Sequence, residues 1–294
     1  MALSAAGLYA LVLSALTYLQ DDGGQFRRGA DKAGLTREEF WLLNRFRYFP
    51  GTVAPGDFLT FGPYASISTY EQQLESLVAK KFAQAVGVGR YRSAEAGRKL
   101  VEQLYRDYFA AIARHDRLDE ADVQRLGALA DRAVAYLVRQ PDVPAPVTNA
   151  TRSAFPETTR VWVYTERRVT ALAAFRDDAH IAAWRENGWS GPRIVVSTAL
   201  FKAAQPLPYD QLRAAVAQLS DKDFKSAISA LHSGGEVSHS AEDIYSLTAA
   251  GRQARQAVED TTDRNYAVIF NALSPDELKE LVALLEQVRG PAAY

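Results

Sequence analysis

The residues best suited to covalent chemistry are few and scattered. The chain has no cysteine and four histidines, which removes disulfides, thiolate metal sites and cysteine nucleophiles together. His232 and His239 bracket the stretch "HSGGEVSH", but two histidines without a third ligand nearby make a poor metal site. Ser190 in "GWSGP" superficially resembles a nucleophile elbow. Such an elbow needs glycine two residues after the serine, whereas Gly191 follows Ser190 at once. Asp21–Asp22 and Asp177–Asp178 are adjacent pairs, and neighbouring residues on a helix point in different directions. Each pair therefore reads as a helix end or polar boundary, not an acid–base couple. No catalytic residue, cofactor or metal is expected, and the chain does not read as an enzyme.

What remains is the chemistry of recognition. Thr69, Tyr70, Gln72, Gln73 and Ser76 stand at the start of a predicted helix, where glutamine can bond bidentately to adenine in a major groove. Lys80 follows on the same helix. Arg90 and Arg92 stand in a predicted hairpin, suited to phosphate or a minor groove. The same residues also suit a solvated helix face and ordinary surface arginines. Residues 64–99 hold six basic against three acidic side chains, a local +3. Residues 218–253 hold three against five, a local −2, with Asp221 and Asp223 at the helix start. Phosphate neutralisation drives non-specific DNA affinity, so the first window suits double-stranded DNA and the second does not.

The elements that must position these residues can be read from caps and periodicity. Thr36 and Glu39 form a capping box opening a helix through about Phe46, and Ser68 with Glu71 opens the next. That second helix carries Leu74, Leu77, Val78, Phe82 and Val86 at helical spacing, with Gly87 as a left-handed terminator. "GVGRYRS" then reads as a small hairpin. A long helix from about Ala94 buries Leu100, Leu104, Phe109 and Ile112, and a last one starts near Asp119. Further on, Ser220 caps a helix with Phe224, Ala227, Ile228 and Leu231 inward, and Gly234 and Gly235 end it. "EVSHSAEDIYSLT" is a hairpin, and Ser274, Pro275 and Glu277 supply another cap.

The order is a repeat. "AEAGRKL" and "TAAGRQA" each follow a tyrosine, Tyr91 and Tyr245, at equal distance, with Gly97 and Gly251 separated by 154 residues. The offset holds back to Gly34 and Gly188, and four landmarks recur in order. Proline-rich residues 141–157 read as an extended linker. The expected organisation is a first copy at 1–140 and a second at 158–294. With 294 residues there is room for two domains. A net charge of −1 supplies no global basic field, so any DNA contact must be local. The first nineteen residues lack side-chain charge but also lack the basic start of a signal peptide and a long apolar run. They read as a buried helix in a cytoplasmic protein.

Helices followed by a small hairpin and a long helix form the winged-helix order. "YSLTAAGR" (Tyr245 to Arg252) and "LSPDELKELVALLEQV" (Leu273 to Val288) resemble the wing exit and closing dimerisation helix of the MarR family of winged-helix regulators. The resemblance implies a mainly α fold with small β wings, as two tandem winged helix-turn-helix domains related by a pseudo-two-fold axis. It implies DNA-binding transcription regulation, with a small-molecule effector or protein partner. The chain departs from the family in lacking the wing's aspartate–arginine pair and in carrying two copies. Tandem winged helices also occur in DNA glycosylases with a glutamine–any–glutamine motif, a spacing absent here. The rival reading is a winged-helix protein that has lost DNA binding and serves protein contact or small-molecule sensing. Trp41, Phe46, Tyr105, Tyr108, Trp162, Trp184 and Trp189 would then line a pocket, or else fill the core.

Overall fold

The computed structural model describes residues 4–20, 24–140, 142–154 and 158–289. The fold is mainly α with two small antiparallel sheets, as expected. In chain order the helices are α1 (Ala5–Leu19), α2 (Gly24–Lys32), α3 (Arg37–Arg45), α4 (Ile67–Ala79), α5 (Glu95–Ile112), α6 (Glu120–Val138) and α7 (Pro146–Ser153). They continue with α8 (Val161–Glu186), α9 (Gly191–Lys202), α10 (Tyr209–Ala215), α11 (Asp221–Ser233), α12 (Ala249–Ala267) and α13 (Pro275–Arg289). The strands are β1 (Ala83–Gly87), β2 (Arg90–Ser93), β3 (Leu207–Pro208), β4 (Val237–His239) and β5 (Ile244–Leu247). β1 pairs with β2, and the second sheet has the order β3-β5-β4.

Contacts divide the chain into two units that interleave in sequence. One draws on residues 1–53, 76–179 and 263–294, the other on 54–75 and 180–262. The divide runs through α4, α8 and α12, not through the proline-rich segment. In the first unit, α1, α6, α8 and α13 share one core that includes Val12, Leu126, Val134, Leu172 and Leu285. The uncharged first segment is thus a packed helix, and no helix among the described residues is long and apolar enough to cross a membrane. In the second unit, Leu200, Leu212, Phe224, Leu231 and Val237 form a separate core.

Within each unit the chain builds the same local geometry, 154 residues apart. Gly34 and Gly188 have φ of 70° and 71°, and Thr36 and Ser190 cap the helices that follow. Val53 bridges Tyr91 as Leu207 pairs with Tyr245. The helix before each hairpin ends in a left-handed residue, Lys81 (φ 65°) or Gly235 (φ 75°). The next N–H then bonds back, Phe82 to the Leu77 carbonyl and Glu236 to the Leu231 carbonyl, both at 2.9 Å. This is a Schellman-type closure. The carbonyls of Phe82 and Glu236 accept in turn from Ala94 and Thr248, again at 2.9 Å. That bond draws the first turn of the exit helix against the same carbonyl. A Cβ on Gly97 would lie 2.2 Å from the Phe82 oxygen, and one on Gly251 would lie 2.0 Å from the Glu236 oxygen. The recurring glycines are therefore required by backbone approach, not by turn conformation.

Several expectations need correction. The cap of α4 is Ser66, whose Oγ accepts from the Thr69 N–H at 3.1 Å; Ser68 lies within the helix. α4 stops at Ala79 because Lys81 takes the left-handed conformation, so Phe82 to Gly87 leave the helix and Ala83–Gly87 is a strand. On α5 the buried residues are Gly97, Val101, Tyr108 and Ile112. Close packing at Gly97 turns that face inward and leaves Leu100, Leu104 and Phe109 only half-buried. The supposed extended linker contains α7, whose first N–H groups at Val147 and Thr148 donate to Asp178 at 2.9 and 2.8 Å. Asp178 is thus a buried carboxylate inside α8 that caps another helix, not a helix end. Asp21 and Asp22, with Pro141 and Pro156, lie outside the described residues.

Two measurements test this account. Gly97→Ala and Gly251→Ala should each lower unfolding stability by about 1–3 kcal/mol, since backbone on both sides must shift. Chemical denaturation of each variant would show it. Glu277 caps α13 with Ser274 and also meets Arg132 and Arg125 of α6. Its carboxyl is held down from 4.5 to about 2, first by Arg132 and then by the Ser274 N–H. A depressed carboxyl stabilises the fold above its unfolded value and stops doing so as pH falls through its folded value. Stability should therefore drop between 4.5 and about 2, and Glu277→Ala should flatten that drop in acid-titrated unfolding curves.

Candidate nucleic-acid interface

The eight residues predicted to face DNA fall into both units. Thr69, Tyr70, Gln72 and Gln73 belong to the second, and Ser76, Lys80, Arg90 and Arg92 to the first.

In the second unit the start of α4 is largely occupied by the fold. Tyr70 is only 4% exposed and donates to the Gly62 carbonyl at 2.6 Å. It lies four residues before buried Leu74, on the apolar face of the helix. It therefore faces the core and not a base, which corrects its assignment. The Thr69 hydroxyl lies 2.7 Å from Ser66 Oγ and donates to the Gln218 carbonyl at 3.0 Å. Gln72 is exposed and Gln73 half-buried, so the amide side chains are the base-reading groups that α4 leaves available.

In the first unit, Ser76 and Lys80 meet at Glu39 of α3. Ser76 donates to Glu39 Oε1 at 2.5 Å, and Lys80 Nζ donates to both oxygens at 2.8 and 2.7 Å. Glu39 is 5% exposed and completes the capping box with the Thr36 N–H at 2.7 Å. Burial pushes its carboxyl up, but bonds from Lys80, Ser76 and Thr36 outweigh this and hold it below its ordinary value. Lys80 is thereby the neutralising partner of a buried carboxylate, and a poor phosphate ligand.

The wing keeps its charge. Gln84 opposes Arg92 and Ala85 opposes Tyr91, with a register shift between Ala85 and Gly87. Gly89 adopts φ 61° at the turn, and Val88 between the two glycines is fully exposed. Arg90 is fixed by Thr52, bonding its carbonyl at 2.7 Å and its hydroxyl at 3.0 Å. Arg92 Nε donates across the ribbon to Gln84 at 2.9 Å. Arg98, at the start of α5, donates to the Ser93 carbonyl at 2.7 Å. Neither Arg92 nor Arg98 has a carboxylate partner among the described residues. The corresponding surface of the second unit is tied down: Asp221 pairs with Arg213 at 2.9 Å, Asp223 bonds the Ser220 cap, and His239 pairs with Asp243 at 2.8 Å.

His232 contacts the Val237 carbonyl at 3.2 Å and so does not act with His239. Ser190 accepts from the Arg193 N–H at 3.4 Å as a helix cap. Of the aromatics, Phe46, Tyr108, Trp184 and Trp189 are core, while Trp41 is exposed.

Sequence reading missed two features of the first unit. One is a buried polar cluster. Glu166 of α8, 3% exposed, accepts at one oxygen from Tyr108 (2.5 Å), Gln20 (2.8 Å) and Thr170 (2.8 Å). Burial pushes its carboxyl above the ordinary value against the pull of those donors. The other is a cavity of about 500 Å³ beside the wing, with Leu43, Phe46, Phe49 and Val101 in its wall and Arg92 and Arg98 at its edge. The capping box at Thr36 and Glu39 was visible in the sequence, but nothing local marks the 41-residue reach from Glu39 to Lys80.

These elements, a capped helix leading through a tight left-handed corner into a cationic hairpin, are those of a helix-turn-helix protein with a wing. The Helix-turn-helix family pattern matches residues 61–293, and the chain belongs to that family. No curated protein matches the chain, and no solved structure does.

Replacing Lys80 separates its two roles. Lys80→Met should lower unfolding stability by about 1–3 kcal/mol, because it leaves the Glu39 charge short of a partner. It should leave any DNA affinity within two-fold, measured by polarisation at a fixed salt concentration. A large loss of DNA affinity in a fully folded variant would instead make Lys80 a phosphate contact.

Proposed function

We propose that the chain is a cytoplasmic DNA-binding transcription regulator made of two successive winged helix-turn-helix copies. The first copy, within 1–140, makes the DNA contact, and the second, within 158–294, serves as its pseudo-symmetric partner. The observation that carries the reading is the first wing, where Arg90, Arg92 and Arg98 stand around an exposed hairpin without the acidic neighbours of the second. The helix-turn-helix family match supports the DNA-binding class. The recurrence of closure, pairing and glycine contact at an offset of 154 supports the duplication. Similarity to MarR regulators rests on the wing-exit and closing-helix motifs.

The occupied start of α4 shapes how such a protein would read DNA. With Tyr70 buried and Thr69 and Ser76 engaged, base reading falls to Gln72 and Gln73. Phosphate contact and groove shape then supply most of the affinity.

The same observation favours a second reading, in which DNA binding has been lost and the chain senses a small molecule or contacts another protein. Titration of random duplex DNA at two salt concentrations separates the two. The regulator should bind at low salt and weaken as salt rises. Arg90→Ala with Arg92→Ala should weaken binding to all sequences and reduce the salt slope by about two, while Gln72→Ala should relax sequence preference. Absence of binding at low salt would leave the second reading.

A further inference from the structure

The cavity beside the wing has a composition that the DNA-binding surface does not require. Leu43 and Phe46 come from α3 and the turn that follows it, Phe49 from the loop, and Val101 from α5. Together they make an apolar wall. Its volume of about 500 Å³ falls within the roughly 300–1,000 Å³ typical of small-molecule sites. Four charged residues border it: Arg47, Arg92, Arg98 and Glu102. Arg47 is engaged by the Ala154 carbonyl at 2.5 Å, lies over the Tyr105 ring and feels the Glu102 charge. Arg47 and Glu102 therefore offset one another. Arg92 uses Nε on Gln84, and Arg98 uses one terminal nitrogen on the Ser93 carbonyl. The other guanidinium N–H groups of these two side chains have no acceptor among the described residues. An apolar wall with two convergent, incompletely bonded guanidinium groups is complementary to one kind of solute.

We propose that this cavity binds a small organic anion with an apolar body, its head held by Arg92 and Arg98 and its body set against Phe46, Phe49 and Val101. Guanidinium groups favour planar carboxylate-like or phosphate-like heads through paired N–H bonds. The wall excludes water from the body, and burial of that apolar area supplies the rest of the affinity. Because Arg92 also belongs to the wing, an occupied cavity removes positive charge from the surface that would meet phosphate. Ligand and DNA would then compete for the same guanidinium groups. This last step rests on the DNA-binding reading; occupation of the cavity does not.

The test uses the full chain and a pair of fluorescent probes, anilinonaphthalene sulfonate and N-phenylnaphthylamine, which share a body and differ in the sulfonate. The sulfonate probe should bind more tightly. Arg92→Gln with Arg98→Gln should weaken it about ten-fold and leave the neutral probe nearly unchanged. Gly51 lines the same cavity, and a Cβ built there meets nothing within 4 Å. Gly51→Phe should accordingly fold normally and weaken both probes by obstructing the cavity; Thr52→Tyr is the second obstructing variant should the first unfold. Unchanged sulfonate affinity in the arginine variant, or unchanged binding of both probes in a folded obstructing variant, would overturn the proposal. In a parallel polarisation titration, saturating sulfonate probe should reduce DNA affinity of the parent chain. If the parent binds probe as described but never binds DNA, the regulator reading fails and the anion site stands. If DNA binds and the arginine variant leaves the probe unaffected, the site fails and the regulator reading stands.

Discussion

The contact between the exit helix and the carbonyl that closes the hairpin constrains everything around the wing. One backbone oxygen, on Phe82 or Glu236, receives the N–H of the residue that leaves the hairpin and also lies against the first turn of the following helix. Neither strand is long enough to be stable alone. The hairpin is held at its open end by that oxygen, by the Schellman-type closure one residue earlier and by the bridge to Val53 or Leu207. Where a glycine occupies the contact point, helix and hairpin close together. With any side chain there, the helix must move away and the hairpin loses its anchor.

Given equal scaffolds, the two hairpins differ in the use of charge. In the second, carboxylates occupy helix caps and local ion pairs, as with Asp223 on Ser220 and Asp243 on His239. In the first, the helix cation Lys80 is drawn inward by Glu39, while the wing arginines are held by carbonyl and amide acceptors. Neutral acceptors orient a guanidinium without cancelling its charge. Positive potential is consequently concentrated on the ribbon and withdrawn from the helix.

Much of this was legible in the sequence because it is local. Caps at Thr36, Asp119, Ser220 and Ser274 announce themselves within four residues, and the glycine–tyrosine register announced the repeat. Less legible were features decided by tertiary contact. Ser66 and Ser68 both precede the same apolar run, and only packing selects Ser66. Lys81 gives no sign of a left-handed conformation, so α4 was read through Phe82 into a strand. The leucines of α5 suggested one buried face, and a glycine fixed another. Tyr70 has the chemistry of a base contact and the position of a core residue. The cavity draws on α3, a loop, β2 and α5, and the Glu166 cluster spans Gln20 to Thr170; no short window contains either.

The left-handed corner that ends each pre-wing helix is glycine in the second case and lysine in the first. A residue with a Cβ held there carries conformational strain of about 1–2 kcal/mol that glycine avoids. Other anchors being equal, the first hairpin detaches roughly five- to thirty-fold more often than the second. Amide protons of its closure, above all that of Phe82, would exchange with solvent correspondingly faster than that of Glu236. The more highly charged ribbon is also the one with the weaker latch, so its arginines sample positions that a more tightly anchored hairpin would not reach.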